Sequence, residues 1–114
     1  MKHTELDYLN YIKEPSLISD IDGNVIFANK EFENKFSHFK KNKKFNIASL
    51  FKKKDKHLLD EIKEKIKNEN EYCQTLSLKT AVNNSAIFEL KVSKTNNNLF
   101  LVFYPISDTK DEQT

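Results

Sequence analysis

Asp20 and Asp22 lie two residues apart, and a pair of carboxylates is the usual equipment for general acid–base chemistry. Asp22 forms an Asp-Gly step with Gly23, which is the only glycine among 114 residues. This step lies between two runs of β-branched and aromatic residues. Such a step favours a tight β-hairpin, because glycine adopts positive φ without steric cost. Aspartate side chains also stabilise turns by accepting backbone hydrogen bonds. We therefore interpret both aspartates as turn residues rather than as a catalytic pair.

The other residues able to act as nucleophiles or metal ligands are few and scattered. The histidines are His3, His38 and His57, and the only cysteine is Cys73. Their spacing matches no metal-binding pattern, and no glycine-rich phosphate loop is present. A single cysteine excludes an internal disulfide and indicates a reducing compartment. The sequence therefore predicts a protein that is not an enzyme and holds no metal.

The charge is unevenly distributed along the chain. The net charge is +2, yet eight lysines and one acid lie between Lys40 and Lys56, so the rest of the chain is negative. All nineteen basic residues are lysine. Lysine lacks the fork geometry with which arginine binds phosphate and guanine, so we interpret this cluster as a solvated loop and argue against nucleic-acid binding.

The segment lengths argue against membrane insertion and secretion. No apolar stretch approaches the ~20 residues needed to cross a bilayer. The first five residues lack the apolar region of a signal peptide. We expect a cytoplasmic protein without membrane contacts.

The first third of the chain predicts a helix, a hairpin and a second helix. Residues 4–13 carry apolar side chains three apart, which predicts a short amphipathic helix ended by Pro15. The hairpin strands are expected at 16–21 and 24–28. Asn29 is a good N-cap for a helix that reaches Phe36.

The remainder changes from helical to strand periodicity. A helical turn is expected at 46–51, and a longer amphipathic helix from an N-cap at Asp55 to Asn68. Apolar and polar residues then alternate through 72–79 and 86–93, which is typical of half-buried antiparallel strands. Asparagines at 96–98 supply a turn. The last strand, 99–104, is apolar on both faces, so its outer face requires a cover, for which the N-terminal helix of this chain or of a partner is the candidate.

These elements predict an α+β domain with a five-stranded antiparallel sheet and helices on one side. The run from Pro15 to Asn29, with its apolar strand, Asp, Asp-Gly, apolar strand and Asn, resembles the opening pattern of PAS domains. The helix near Asp55 and the ending at 106–109, similar to the family's Asp-Ile-Thr signature, extend the resemblance over 15–109. It implies the sheet order 2-1-5-4-3, an N-terminal cap or dimerisation helix at 1–14, and a polar tail at 110–114 that leads to a missing or absent output module.

The resemblance also implies a cavity between sheet and helices that holds a small ligand or cofactor, or is filled by side chains. If Asp108 takes the place of the family's Asp, alternate residues of the last strand face this cavity, and Gln74 and Tyr104 supply its polar tips. The candidate pocket residues are Phe27, Phe32, Phe36, Leu50, Leu59, Ile62, Gln74, Leu76, Phe88, Leu90, Phe100, Val102 and Tyr104. The opposite face of the last strand then meets the N-terminal helix, and the candidate cap and dimer residues are Leu6, Leu9, Ile12, Leu99, Leu101 and Phe103.

The implied function is a sensor or dimerisation domain of a bacterial signalling protein such as a two-component kinase, as a homodimer joined to an output module. The ligand stays open. Flavin is argued against because the chain has neither tryptophan nor the photoactive Asn-Cys-Arg-Phe-Leu-Gln run. Haem is argued against because His57 is offset from the family's ligand position, which Lys54 occupies. The alternatives are a ligand-free protein-interaction module and a profilin- or longin-like scaffold.

Overall fold

The computed structural model describes residues 12–36, 44–81 and 85–106. In these ranges five strands form one antiparallel sheet in the order β2-β1-β5-β4-β3. The strands are β1 (Ser16–Asp20), β2 (Val25–Ala28), β3 (Glu71–Leu78), β4 (Ala86–Thr95) and β5 (Asn98–Pro105). The predicted strand order is confirmed.

Among the described residues, two α-helices and two 3₁₀ turns lie between β2 and β3, and the helices and the first 3₁₀ turn contribute buried residues to the core on one face of the sheet. They are α1 (Lys30–Lys35), the turns Ile47–Leu50 and Lys53–Asp55, and α2 (Leu58–Glu69). Asn29 caps α1 as expected, because its side chain accepts a hydrogen bond from the Phe32 N–H. The predicted cap at Asp55 is wrong. Asp55 ends a 3₁₀ turn, and α2 begins after His57, which makes no side-chain capping bond.

The N-terminal capping helix predicted over residues 4–13 falls largely outside the described residues. Ile12 and Lys13 lie inside them and are not helical. The chain from Ile12 to Glu14 is held by Asn29, whose Nδ2 donates to both of their carbonyl oxygens. The tail at 110–114 and the loop at 37–43 also lie outside the described ranges.

The hairpin turn between β1 and β2 is organised around Asp20. Its Oδ1 accepts the N–H groups of Asp22 and Asn24, at 3.0 and 2.9 Å, and its Oδ2 accepts the Asn24 side chain at 3.2 Å. These bonds, led by that from the Asn24 backbone, hold the pKa of the Asp20 carboxyl below its usual value. Asp22 forms an ion pair with Lys63 of α2 at 3.2 Å. The Asp20 carboxylate thus stabilises the turn, as the sequence predicted, while the Asp22 carboxylate instead joins the turn to α2.

Gly23 allows a close approach as well as a turn. Its φ is +92°, and a Cβ there would lie 3.0 Å from Ile47 Cγ1 and 3.1 Å from Asn46 Oδ1. The Gly23 carbonyl accepts the Ile47 N–H at 2.9 Å, so the glycine holds the start of the first 3₁₀ turn against the hairpin.

We expect Gly23→Ala to lower the free energy of unfolding by roughly 1–3 kcal/mol, because positive φ is strained for alanine and its Cβ crowds Ile47. Urea denaturation measures this loss. Ala48→Gly, in the neighbouring turn, is the control for glycine content. A Gly23→Ala protein as stable as the wild type would contradict the role of this contact.

Candidate functional site

The space between the sheet and the helices is filled by aromatic side chains. Phe32 and Phe36 of the α1 region meet Phe88 of β4 and Phe103 of β5, and all four are at most 1% exposed. The ring centroids of Phe32 and Phe36 are 4.6 Å apart, and that of Phe36 lies 5.4 Å from Phe103 and 5.6 Å from Phe88. Aromatic pairs at such distances stabilise a core beyond the area they bury.

Most of the predicted pocket residues belong to this packed interior. In the core cluster or packed directly against it are Phe32, Phe36, Leu50, Leu59, Ile62, Leu76, Phe88 and Leu90. Gln74 lies on β3 at the edge of the sheet and is exposed. A role of these residues in binding a ligand stays a prediction.

The predicted orientation of β5 is wrong. Leu99, Leu101 and Phe103, expected to face a cap helix, are fully buried in the core cluster. Phe100, Val102 and Tyr104, expected inside, therefore point to the opposite face, because successive side chains of a strand alternate. Both faces of β5 are apolar, so its own pattern could not fix which face meets the core.

Phe27 also lies on the outer face, contrary to the prediction. The pairing of β1 with β2 shifts between Ile18 and Ser19, where Ile18 pairs with Phe27 and Ser19 pairs with Val25. The extra residue is Ile26, which is exposed. A bulge reverses the alternation of the strand, so Val25 packs on the core while Phe27 faces away from it.

The outer face of the sheet has an apolar half. Ile18 pairs with Phe27 on one side and with Phe100 on the other, so the three share a face. Together with two more residues of β5 they form what we call the apolar strip: Phe27, Ile18, Phe100, Val102 and Tyr104. Ile18 and Val102 are only 8% and 7% exposed although they point away from the core. The strip therefore has two buried residues, and its other three are half-buried.

The other half of the outer face is polar. The Cys73 thiol donates to Glu89 Oε2 at 3.0 Å, and Lys91 Nζ lies 5.4 Å from the centre of the Tyr104 ring. The hydrogen bond to Glu89, followed by desolvation, raises the pKa of Cys73. The thiol is therefore protonated at neutral pH and is a poor nucleophile.

A groove of about 740 Å³ runs along β3 and is open to solvent. On the helix side, the Tyr72 hydroxyl donates to Glu61 Oε1 at 3.3 Å, and His57 Nε2 lies 3.6 Å from Glu61 Oε2. Burial, and then the Glu61 charge, raises the pKa of Tyr72 to about 12, so the phenol stays neutral. His57 is exposed, as the sequence predicted.

The described residues hold no group of three histidine, cysteine or acidic side chains arranged for a metal ion. Within the same ranges, none of the helices is both long and apolar enough to span a bilayer. The candidate site is the outer face of the sheet, with the apolar strip and the polar half beside it.

Comparison with known family models gives no match, and comparison with curated proteins gives none either. Solved structures do match. The PAS domain of a protein from Colwellia psychrerythraea superposes with a TM-score of 0.75 at 14% identity, covering 91% of this chain and 95% of that one. The chain has the PAS fold.

Two further PAS-fold structures are similar over most of this chain. The PAS domain of the Cronobacter turicensis quorum-sensing receptor RpfR, solved in complex with BDSF, has a TM-score of 0.72 at 15% identity. The match covers 84% of this chain and 96% of the RpfR chain. The Rhodobacter sphaeroides LOV protein has a TM-score of 0.78 at 12% identity, covering 98% of this chain and 72% of that one. The five-stranded sheet and the PAS fold predicted from the sequence are confirmed, while the predicted N-terminal capping helix stays a prediction.

Sequence reasoning missed two features of this PAS fold. Ile18 was not assigned to the outer face, and the signal for it was the fully apolar run Leu17-Ile18 in a strand that neighbours the doubly apolar β5. Asn46 was not assigned a role, yet its Nδ2 donates to the Asp22 carbonyl at 3.0 Å and to Asn24 Oδ1 at 2.9 Å. No pattern in the sequence brings Asn46 to the hairpin, because the contact spans more than twenty residues.

Proposed function

We propose that this chain is a PAS signalling module that acts through the outer face of its sheet. The observation that carries the proposal is the apolar strip, where Ile18 and Val102 are buried although they lie on the face away from the core. A sheet face that buries large apolar side chains is built for contact with another element.

The first partner of the strip is the segment 1–14. Its residues Leu6 and Leu9 are spaced for one face of an amphipathic helix that ends before the non-helical Ile12, and an apolar helix face on an apolar sheet face buries both. The same helix joins two copies of the chain, so that the homodimer passes a signal to an output module in a bacterial cytoplasm.

The filled interior supports a module that relays signals by contact rather than one that holds a ligand at its centre. Four buried phenylalanines in mutual contact occupy the place where a cavity would lie. A bound molecule there would have to displace rings whose burial stabilises the fold. The second candidate is a small-molecule sensor, which the similarity to the BDSF-bound RpfR domain supports.

We expect Leu9→Lys to lower the molecular mass measured by light scattering relative to the wild type, because a charged side chain replaces an apolar one in the contact. Thr4→Lys is the matched control, since it adds the same charge on the opposite side of the predicted helix. Equal masses for the two variants would contradict a dimer through this helix.

The two candidates for function differ in what the purified domain carries. Native mass spectrometry gives the mass of the bare chain, or a whole-number multiple of it, for a contact module. A retained small molecule would favour the sensor, and absorbance in the haem or flavin bands would in addition overturn the sequence-based argument against those cofactors.

A further inference from the structure

The two edge strands of the sheet differ in how well their backbones are protected from pairing with another strand. At one edge, β2 has four residues and a bulge. Its backbone is also paired on the outer side, because the Val25 N–H donates to the Phe45 carbonyl at 2.9 Å and Asn24 forms a bridge with Asn46. Short strands, bulges and covering segments are the usual means of blocking an exposed edge.

The opposite edge, β3, shows none of these protections within the part of the chain that the structure describes. It runs for eight residues in unbroken register with β4, from Glu71 opposite Ser93 to Leu78 opposite Ala86. It contains no proline, no glycine and no lysine. Among the described residues β3 pairs with β4 alone.

The hydrogen bonds identify which backbone N–H and C=O groups of β3 point away from β4. Asn70, just before the strand, accepts the Lys94 N–H through its carbonyl, so even-numbered residues direct their backbone groups toward β4. The odd-numbered residues then direct both N–H and C=O away from the sheet, because these groups alternate along a strand. A side-chain hydrogen bond is consistent with this direction. The Thr75 carbonyl accepts from Gln74 Nε2 at 3.3 Å rather than from β4.

The outward-directed residues are accessible. Glu71, Cys73 and Thr75 are exposed, and Ser77 is half-buried. Among the described residues no strand or segment pairs with the outward-directed N–H and C=O groups at these four alternate positions. The Thr75 carbonyl is engaged by the exposed side chain of Gln74, which a pairing strand can displace, so the four positions form a template for another extended strand.

We propose that β3 pairs antiparallel with β3 of a second copy, about a two-fold axis at Thr75. In this register Thr75 lies opposite Thr75, and Cys73 lies opposite Ser77. Glu71 of each copy lies opposite Lys79 of the other, so the symmetric contact contains two such charge pairs. Glu71 and Lys79 are both exposed in the single chain.

Charge complementarity selects this register. Opposite charges facing each other across antiparallel strands stabilise the pair, as do facing threonines. A two-fold axis at Gln74 would place Glu71 opposite Ser77, and one at Cys73 would place it opposite Thr75, and both would lose the ion pairs. The proposed contact joins two sheets edge to edge and uses a different surface from the apolar strip.

Disulfide trapping tests the contact directly. In the Cys73→Ser/Thr75→Cys variant, the facing cysteines have Cα atoms about 5.5 Å apart, within the range that a disulfide spans. We expect a covalent dimer under mild oxidation, formed severalfold faster than in the control Cys73→Ser/Lys67→Cys. The control carries its cysteine on the exposed surface of α2 and reports random collision. Equal rates in the two variants would overturn the proposal.

The register has its own test in the same cysteine background. Adding Glu71→Lys should slow trapping severalfold, because two lysines then face each other at each end of the contact. Adding Lys79→Glu to that variant should restore the rate. A trapping rate that neither substitution changes would overturn the register. All four positions are exposed, and circular dichroism confirms that each variant is folded. The experiment is independent of Leu9, so its failure and that of the outer-face dimer are distinguishable.

Discussion

Replacing Phe103 by alanine should lower the free energy of unfolding by about 3–5 kcal/mol, among the largest effects that a single truncation causes. Phe103 is fully buried and its ring contacts those of Phe32, Phe36 and Phe88 at centroid distances of 5.4 to 6.2 Å. Alanine leaves a cavity that these rigid neighbours cannot fill. Urea denaturation followed by circular dichroism measures the loss.

Phe100→Ala is the matched control, because it makes the same chemical change on the same strand. Phe100 is half-buried on the outer face and loses less contact, so we expect a loss of about 1–2 kcal/mol. A larger loss for Phe100 than for Phe103 would contradict the orientation of β5.

Asn29→Ala should lower the free energy of unfolding by about 2–4 kcal/mol, the sum of a lost helix cap and an unsatisfied buried N–H. Asn29 is 1% exposed. Its Oδ1 accepts from Phe32 N at 2.9 Å and Ser16 N at 3.0 Å, while its Nδ2 holds the chain before β1. One side chain thus joins the start of α1 to the start of the sheet.

Two controls separate capping from the remaining bonds of Asn29. Asn46→Ala removes another asparagine cap, that of the first 3₁₀ turn, whose other bonds are exposed, and should cost only about 1 kcal/mol. Asn29→Asp keeps both acceptor bonds but loses the Nδ2 donors and buries a charge, so it should also destabilise. An Asn29→Asp protein as stable as the wild type would contradict a role for Nδ2.

The sequence alone determined the local elements. The Asp-Gly step gave a hairpin within one residue of the expected strands, Asn29 capped the helix, and Asn96 adopts φ 55° at the β4–β5 turn. These features rest on contacts between residues close in the chain, so residue types suffice to specify them. The strand order followed from a resemblance that those same local elements carry.

Only the tertiary structure decided which faces meet. β5 is apolar on both sides, so the helices and the neighbouring strands set its orientation. Phe27 faces outward because of a β-bulge in β2, and no residue type in that strand predicts the bulge. The sequence also left open whether the phenylalanines surround a cavity or fill it. In the structure Phe36 and Phe103 are fully buried with ring centroids 5.4 Å apart, a contact that depends on long-range packing. Paired carboxylates and a single glycine thus predicted a turn, while the surface proposed for function depended on contacts between residues far apart in the chain.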